Sequence, residues 1–376
     1  MRASAIMSKT KIAYLIYQTH AKANGGVASI IQIIKSLDKS AFEVTVITNR
    51  ETDLIESLGK DVSLVLMNWP NYGILRRLTG LFQFTTRLLT VFRQSGIQIL
   101  HVNDIYSLQL SFLASFLARK KMVFNIRDVF VPEKPYGKAW YLVNFCQAVF
   151  VLSNDMSNTL KKRLPLLKPR KDKLIFKPFY SIVDLSLFRP QPEKKRDDKT
   201  LLFAATFNEK KNQLEFIKKC AKGLIDRDYS IIFAGDFEND YGRNCVKAVD
   251  ELGFNQSIQF IGFRPDMHNW YVKASLTIVP TRREGLARCM IESLSCGTPV
   301  VSFDVASAHE ILTEGHCGIV VPQGDYESFQ AAIFRLGDQE ERTVMATNAR
   351  KLAESLFDKS LTISEMETSY QNLLRN

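Results

Sequence analysis

The sequence predicts an α/β fold of two doubly wound domains, each built on a parallel sheet. Short apolar runs of four to seven residues recur along the chain and alternate with longer stretches of helical apolar spacing, as successive βαβ units do. One such unit, Ser275 to Leu312, stands out for its clear strand, loop, helix, turn and strand. The chain has 376 residues, whereas single cores stop growing at roughly 250–300. Two domains are therefore expected, 1–190 and 191–360, followed by a tail, 361–376.

The first domain opens with a strand, Lys11 to Tyr17. Gly25-Gly26-Val27 then starts a helix that runs through Leu37. A double glycine between first strand and first helix lets a ligand approach the backbone, although it is also ordinary turn chemistry. Phe42 to Thr48 and Val62 to Met67 are the next strands. Trp69 to Gln94 mixes aromatic and aliphatic residues with Arg76, Arg77, Arg87 and Arg93. That fits a helix in a membrane interface, or a helix packed on the sheet with its arginines in water. Strand Ile97 to Val102 ends at Asn103-Asp104. Helix Ser107 to Ala118 leads to strand Met122 to Ile126, which ends at Arg127-Asp128. Polar groups at such strand ends face the ligand crevice of an open α/β sheet. Arg127 can hold a phosphate or carboxylate bidentately; it can equally pair with Asp128. Val149 to Ser153 is a further strand. Lys161 to Lys173 is densely basic, either a solvated run or a contact with an anionic surface. Gln191 to Thr200 is charged and apolar-poor, as a linker is.

The second domain starts with strand Leu201 to Ala205, the polar loop Thr206 to Gln213, and a helix through Leu224. Asp226-Arg227-Asp228 has the spacing of a metal-binding carboxylate pair, but it precedes strand Tyr229 to Ala234. That is the wrong end of the sheet for a ligand, so a surface turn is expected. Strand Ile258 to Ile261 ends at Gly262-Phe263-Arg264. After strand Leu276 to Val279 and the loop from Pro280, a helix is expected to begin at Glu284-Gly285. It carries Leu286, Met290 and Leu294 at a spacing of four. Gly297-Thr298-Pro299 stops it, and Val300 to Phe303 is the next strand. The start of such a helix offers free N–H groups and partial positive charge, a ready site for phosphate. Glu292 lies two turns inside. A carboxylate there is costly unless it accepts hydrogen bonds, and sugar or ribose hydroxyls are suitable donors. The alternative is a glutamate on a solvated face. In the tail, Ile363, Met366, Tyr370 and Leu373 have helical spacing.

The net charge of +11 is unevenly placed. Residues 1–190 carry 27 Lys and Arg against 12 Asp and Glu, and the rest carry 23 against 27. All the excess is in the first domain, which points to an anionic partner there (membrane lipid, a phosphorylated acceptor or nucleic acid) or to a generally basic solvated surface. No RNA-binding motif is present, so nucleic acid is not expected. The six cysteines lack paired spacing and are expected to be buried thiols without zinc. No cleavable leader pattern and no run of 18 apolar residues is seen. A cytoplasmic location is expected, with contact at the inner face of the membrane.

Glu284-Gly285, Glu292, Cys296-Gly297-Thr298-Pro299-Val300 and Glu310 together resemble the C-terminal signature of retaining, family 4-type glycosyltransferases of the GT-B fold, also described as glycosyl transferases group 1. The resemblance is specific over about residues 258 to 322. It implies two Rossmann-like domains facing across a cleft, with the final helix packed back on the first. It implies that Glu284 contacts the transferred sugar, that Glu292 holds the ribose of the nucleotide, and that the amides of Gly285, Leu286 and Ala287 hold the diphosphate. Gly25 and Gly26 would lie near that diphosphate, and Gly262, Phe263 and Arg264 beside the nucleobase. Asn103, Asp104, Arg127 and Asp128 would line the acceptor pocket, with Arg127 where many relatives carry His.

Lys211 matches one of the family's two phosphate-clamping cations. Thr206 stands where the other, an Arg, is usual; it can donate only a hydrogen bond, and Lys210, Arg282 or Arg288 could supply the missing charge. The implied function is retaining transfer of a hexose-type sugar from a nucleotide-sugar donor to a glycan or lipid-linked acceptor in surface polysaccharide biosynthesis. Lys211 and Glu284 would be the catalytic residues, with no metal or other cofactor. Two alternatives stand beside it. A nucleotide-sugar epimerase would need catalytic carboxylates that find no match here. A non-catalytic binder of membrane or another anionic ligand would release no sugar from a donor.

Overall fold

The computed structural model describes residues 9–18, 25–70, 74–127, 137–164, 166–168, 175–194 and 196–375. The chain forms two compact units, Met1–Ile182 with Ser360–Asn376, and Val183–Lys359.

The first unit holds a seven-stranded sheet: β1 (Thr10–Ile16), β2 (Phe42–Thr48), β3 (Val62–Leu66), β4 (Ile99–Val102), β5 (Lys121–Ile126), β6 (Ala148–Val151) and β7 (Ile175–Pro178). The order is β3-β2-β1-β4-β5-β6-β7, and every pairing is parallel. Strands buried on both faces read as near-continuous apolar runs, and the middle of β1 and all of β4 and β6 are buried. That is why they were legible. β7 lies at the sheet edge, part-exposed and next to a basic run, and its sequence gives no such signal.

Helix Ile74–Ser95 buries Phe84, Leu88 and Phe92 and leaves Arg93 exposed. Arg87 donates to the Leu66 carbonyl at 2.9 Å. Over its described side chains this is a helix packed on the fold by one face; the side chains of Arg76 and Arg77 lie outside the described residues. The last helix, Lys359–Arg375, puts Ile363, Met366, Tyr370 and Leu373 into the core of the first unit. There the Tyr370 hydroxyl meets the Tyr14 hydroxyl at 2.9 Å and His101 Nδ1 at 2.6 Å. Burial pushes the His101 imidazole down to about 3.

The second unit holds β8 (Thr200–Ala204), β9 (Ser230–Ala234), β10 (Ile258–Phe260), β11 (Leu276–Val279), β12 (Val300–Phe303) and β13 (Gly318–Val321). The order is β10-β9-β8-β11-β12-β13, again all parallel. Asp226–Asp228 is a turn before β9.

The chain changes unit between Ile182 and Val183, a little before the boundary drawn at 190. Local bonds explain it: the Val183 amide donates to the Phe357 carbonyl at 3.1 Å, and Arg350 donates to the Phe188 carbonyl at 2.9 Å. The expected linker is likewise tied into the second unit. Lys194 donates to Asn269 at 2.8 Å, Arg196 donates to Thr298 at 2.9 Å, and Asp198 pairs with Arg342. Among the described residues no helix is long and apolar enough to cross a membrane. All six cysteines are free, and five are buried.

Candidate functional site

An open α/β sheet binds ligands beyond the carboxyl ends of its strands, where the strand order reverses. In the second unit that point lies between β8 and β11. The loop after β8 carries Thr206 and Lys211, and the loop after β11 carries Glu284 and Gly285.

Asn212 joins the two loops. Its backbone is left-handed, with φ of 71°, a conformation that asparagine tolerates better than most residues. Its Nδ2 donates to the Pro280 carbonyl and to the Tyr326 hydroxyl, each at 2.9 Å, and its Oδ1 accepts from Arg282 Nε at 3.0 Å. The Arg282 amide donates to the Lys210 carbonyl at 2.9 Å. Held this way, the Lys211 ammonium and the Glu284 carboxylate meet as an ion pair. Glu284 is buried and Lys211 largely so. Burial also pushes the Cys289 thiol up to about 12, against the pull of Lys211. Such a thiol is a poor nucleophile at neutral pH.

The helix after Glu284 begins later than expected. It spans Arg288–Ser295, with Ala287 as its cap residue and no side-chain cap. Gly285, Leu286 and Ala287 therefore form the loop that leads into it, and Leu286 is not on its buried face. All three are buried. The Gly285 carbonyl accepts from Ser307 Oγ at 2.8 Å. The first amides of this helix have no side-chain cap, and such a helix start can hold an anion.

Glu292 is buried rather than solvated, and both its oxygens have donors. Oε1 accepts from Arg288 Nε at 2.6 Å and Oε2 accepts from the Tyr271 hydroxyl at 3.0 Å. Burial nonetheless raises the Glu292 carboxyl above its ordinary range, because desolvation outweighs the Arg288 charge and the two hydrogen bonds. The Tyr271 hydroxyl is raised further still by burial and by the facing carboxylate.

The remaining predicted residues divide by location. Thr206 is exposed; its hydroxyl accepts from Asn208 Nδ2 at 3.3 Å. Gly262, with φ of 70°, follows β10 and accepts the Gly235 amide at 2.8 Å. Phe263 is exposed, and Arg264 sits 5.5 Å from the Trp270 ring and 3.3 Å from Asp266. In the first unit the strand order reverses between β1 and β4. Gly25 and Gly26 open the helix Gly25–Ser36 after β1, and Asn103 follows β4. Asp104 caps helix Ile105–Leu117, accepting the Ser107 amide at 2.7 Å and the Ser107 hydroxyl at 2.6 Å. Arg127 follows β5 and donates to Ser181 at 3.2 Å. Asp128 lies outside the described residues.

Sequence reasoning missed Asn212, Tyr271 and the pairing of Arg288 with Glu292. The i,i+4 spacing of Arg288 and Glu292 is a signal that could have found the last. Tyr271 carries no local signal, since it lies 21 residues from Glu292 in the chain and its helix, Met267–Lys273, reaches Glu292 only through the tertiary fold.

Known proteins place this geometry in context. The family described as Glycosyl transferases group 1 matches residues 186–352, and Glycosyltransferase Family 4 matches residues 23–175. The chain is 25% identical over 159 residues to the capsular polysaccharide biosynthesis glycosyltransferase CapM of Staphylococcus aureus, covering 41% of each protein. It is 22% identical over 220 residues to N-acetyl-alpha-D-glucosaminyl L-malate synthase of Bacillus anthracis, covering 56% of each. The chain thus spans about half the length of the curated relatives it matches. Among solved structures, Anabaena Alr3699/HepE in complex with UDP is similar, with a TM-score of 0.79 and 19% identity over 96% of this chain and 100% of that one. At that identity the likeness shows the fold.

Proposed function

The chain belongs to the family 4-type glycosyltransferases of the GT-B fold, and we propose that it transfers a sugar, with retention at the anomeric carbon, from a nucleoside-diphosphate sugar to a hydroxyl of a glycan or lipid-linked acceptor. The observation that carries this reading is the Lys211–Glu284 pair at the switch point of the second sheet. A cation and a carboxylate held together beside the amides of Gly285 to Ala287 suit one ligand: a diphosphate with a sugar attached.

In this reading the bond between the anomeric carbon and the phosphate oxygen breaks. Negative charge develops on the departing diphosphate, and fixed dipoles and cations in a partly dry site stabilise it. Lys211 and the amides of Gly285, Leu286 and Ala287 take that role, with the Thr206 hydroxyl as a further donor. A metal is not part of the reading. Glu284 accepts from hydroxyls of the transferred sugar and positions it. Glu292 accepts from the ribose, and the base lies against Gly262, Phe263 and Arg264. The acceptor oxygen attacks the same face that the phosphate leaves, and its proton passes to the departing phosphate. No protein nucleophile is then required. In the first unit, Asn103, Asp104, Arg127 and Asp128 are assigned to the acceptor, as the family resemblance implies. Surface polysaccharide synthesis is the context favoured by the name of CapM. UDP-sugars are the first donors to test, since Alr3699/HepE has been solved with UDP and with UDP-glucose.

The test is thermal unfolding against UDP, GDP, ADP and their sugar conjugates, followed by NMR of any product's anomeric configuration. A ligand at about 100 times its dissociation constant adds roughly 2.7 kcal/mol, a clear rise in Tm. The expected result is a shift from one base and an axial-to-axial or equatorial-to-equatorial product. An inverted product overturns retention. No shift and no turnover with any donor overturn the enzyme reading.

A further inference from the structure

We infer that Arg288 is the second cation of the donor diphosphate, and that Glu292, itself held by Tyr271, keeps the Arg288 guanidinium in place for that role. The inference rests on the sugar-transfer reading and deepens it: it names the side chain that meets the phosphates beside Lys211.

The charges at the switch point carry the argument. A diphosphate esterified at both ends is a dianion. Lys211 meets it already paired with Glu284, and Glu292 is a second buried carboxylate, on the helix that follows. One cation beside two carboxylates would repel a dianion. With Arg288 the four groups are neutral together, and the amides of Gly285 to Ala287 and the helix start can act on the phosphates unopposed. Two other arginines of the surrounding loops are turned elsewhere. Arg282 donates to Asn212 Oδ1, and its charge acts on Glu215 and Tyr326. Arg264 lies against Trp270 and Asp266.

The position of Arg288 suits the role. It is the first residue of helix Arg288–Ser295, directly after the loop Gly285 to Ala287. Its Nε donates to Glu292 Oε1, one turn further on, at 2.6 Å, a short charge-assisted bond. Glu292 Oε2 accepts from the Tyr271 hydroxyl at 3.0 Å, and Tyr271 is buried. The chain of bonds from Tyr271 to Glu292 to Arg288 thus starts from a side chain that packing fixes. Anchoring at Nε sets the plane of the two terminal nitrogens, and a fork held in this way grips phosphate better than a point charge does. The Arg288 side chain keeps 23% of its surface in water, so the pair is not sealed from a ligand. A carboxylate oxygen has more than one lone pair, so Glu292 can hold Arg288 and still accept from the ribose. Ribose and diphosphate would then be recognised through one connected pair.

The simpler role for Arg288 is to neutralise Glu292 and nothing more. The test that separates the two is calorimetric titration of the full chain with the tightest-binding of UDP, GDP and ADP, in a cycle of Arg288→Gln and Glu292→Gln. A charge-assisted bond to phosphate is worth at least about tenfold in affinity. Arg288→Gln is therefore expected to weaken binding at least about tenfold with Glu292 present and again in the Glu292→Gln background, where the amide still offers an oxygen to Nε but no charge to neutralise. Arg288→Lys should fall between Arg and Gln, since it keeps the charge and loses the fork. A loss confined to the background that contains Glu292 overturns the inference. So does unchanged affinity in an Arg288→Gln variant that unfolds cooperatively. If Arg288→Gln does not fold alone, the Glu292→Gln background leaves no buried carboxylate unpaired and carries the comparison. Either overturning result leaves sugar transfer standing, whereas a native chain that binds none of the three nucleotides overturns the diphosphate site of the transfer reading as well.

Discussion

Lys211 and Glu284, 73 residues apart in the chain, meet as an ion pair where the order of the second sheet reverses. The pair links the loop after β8 to the loop after β11. Removing one partner of a buried pair leaves the other charge poorly compensated, at a cost of about 3–5 kcal/mol. Lys211 keeps some contact with water, so the low end of that range applies. Lys211→Ala is therefore expected to lower Tm in the absence of ligand. Lys211→Ala with Glu284→Gln should regain most of that loss, as a double-mutant cycle by chemical denaturation will report. If Lys211 also holds the leaving group, turnover falls at least about tenfold, the worth of one charge-assisted hydrogen bond. A variant with full activity would remove Lys211 from the mechanism.

Asn212 acts through position. Asn212→Gly keeps the left-handed backbone accessible while deleting the bonds to Pro280, Tyr326 and Arg282. The loops should lose their mutual register. We expect a weaker nucleotide-induced Tm shift, with turnover reduced more than global stability. Unchanged nucleotide affinity would show that the register is held elsewhere.

Tyr271 gives its hydroxyl to a carboxylate that burial already disfavours. In Tyr271→Phe, Glu292 loses that donor at a cost of about 1–3 kcal/mol. Urea denaturation at neutral pH should show the loss. At a pH low enough to protonate Glu292 it should shrink.

Glu292 also predicts a pH dependence. Its folded value is raised from the ordinary 4.5, so its contribution to stability is present below that value and lost as pH rises through the raised one. Ribose hydroxyls that donate to the carboxylate favour its ionised form and draw the value back down. Binding then releases protons, and affinity rises with pH until the raised value of the ligand-free site is passed. Calorimetry of a UDP-sugar, whose diphosphate does not itself titrate in this window, in buffers of different ionisation enthalpy should detect that release. Glu292→Gln should abolish it. Release of the same size in the variant would show that Glu292 does not receive the ribose.

His101 sets a second dependence, in the first unit. Its folded value of about 3 lies below the ordinary 6.5. The unfolded chain binds the proton first, so stability is full above 6.5 and declines as pH falls toward 3, by up to about 1.4 kcal/mol per pH unit. His101→Gln should flatten the slope of unfolding free energy between pH 6.5 and 4 by one proton. An unchanged slope would mean that imidazole protonation is not coupled to unfolding there.

Much of the fold was legible because buried parallel strands are short apolar runs. β2, β11 and β12 lie where their runs begin and end. Glu284 and Glu292 were legible as a motif, and Lys211 as the cation of a polar loop. The start of the helix was not: Glu284-Gly285 has the composition of a helix entrance, yet Gly285 to Ala287 stay in the loop and the first turn begins at Arg288. The charged segment 191–200 has the composition of a linker, and nothing local announces its bonds to Asn269, Thr298 and Arg342.

By itself the sequence determined two parallel α/β units and the loops that carry the polar residues, because apolar periodicity and turn chemistry act over a few neighbouring residues. Only the tertiary structure decided which loops meet. Lys211 reaches Glu284, Tyr271 reaches Glu292, and Tyr370 reaches Tyr14 and His101 only once strand order and helix packing bring them together. Local pattern cannot encode contacts that depend on the burial of whole sheets.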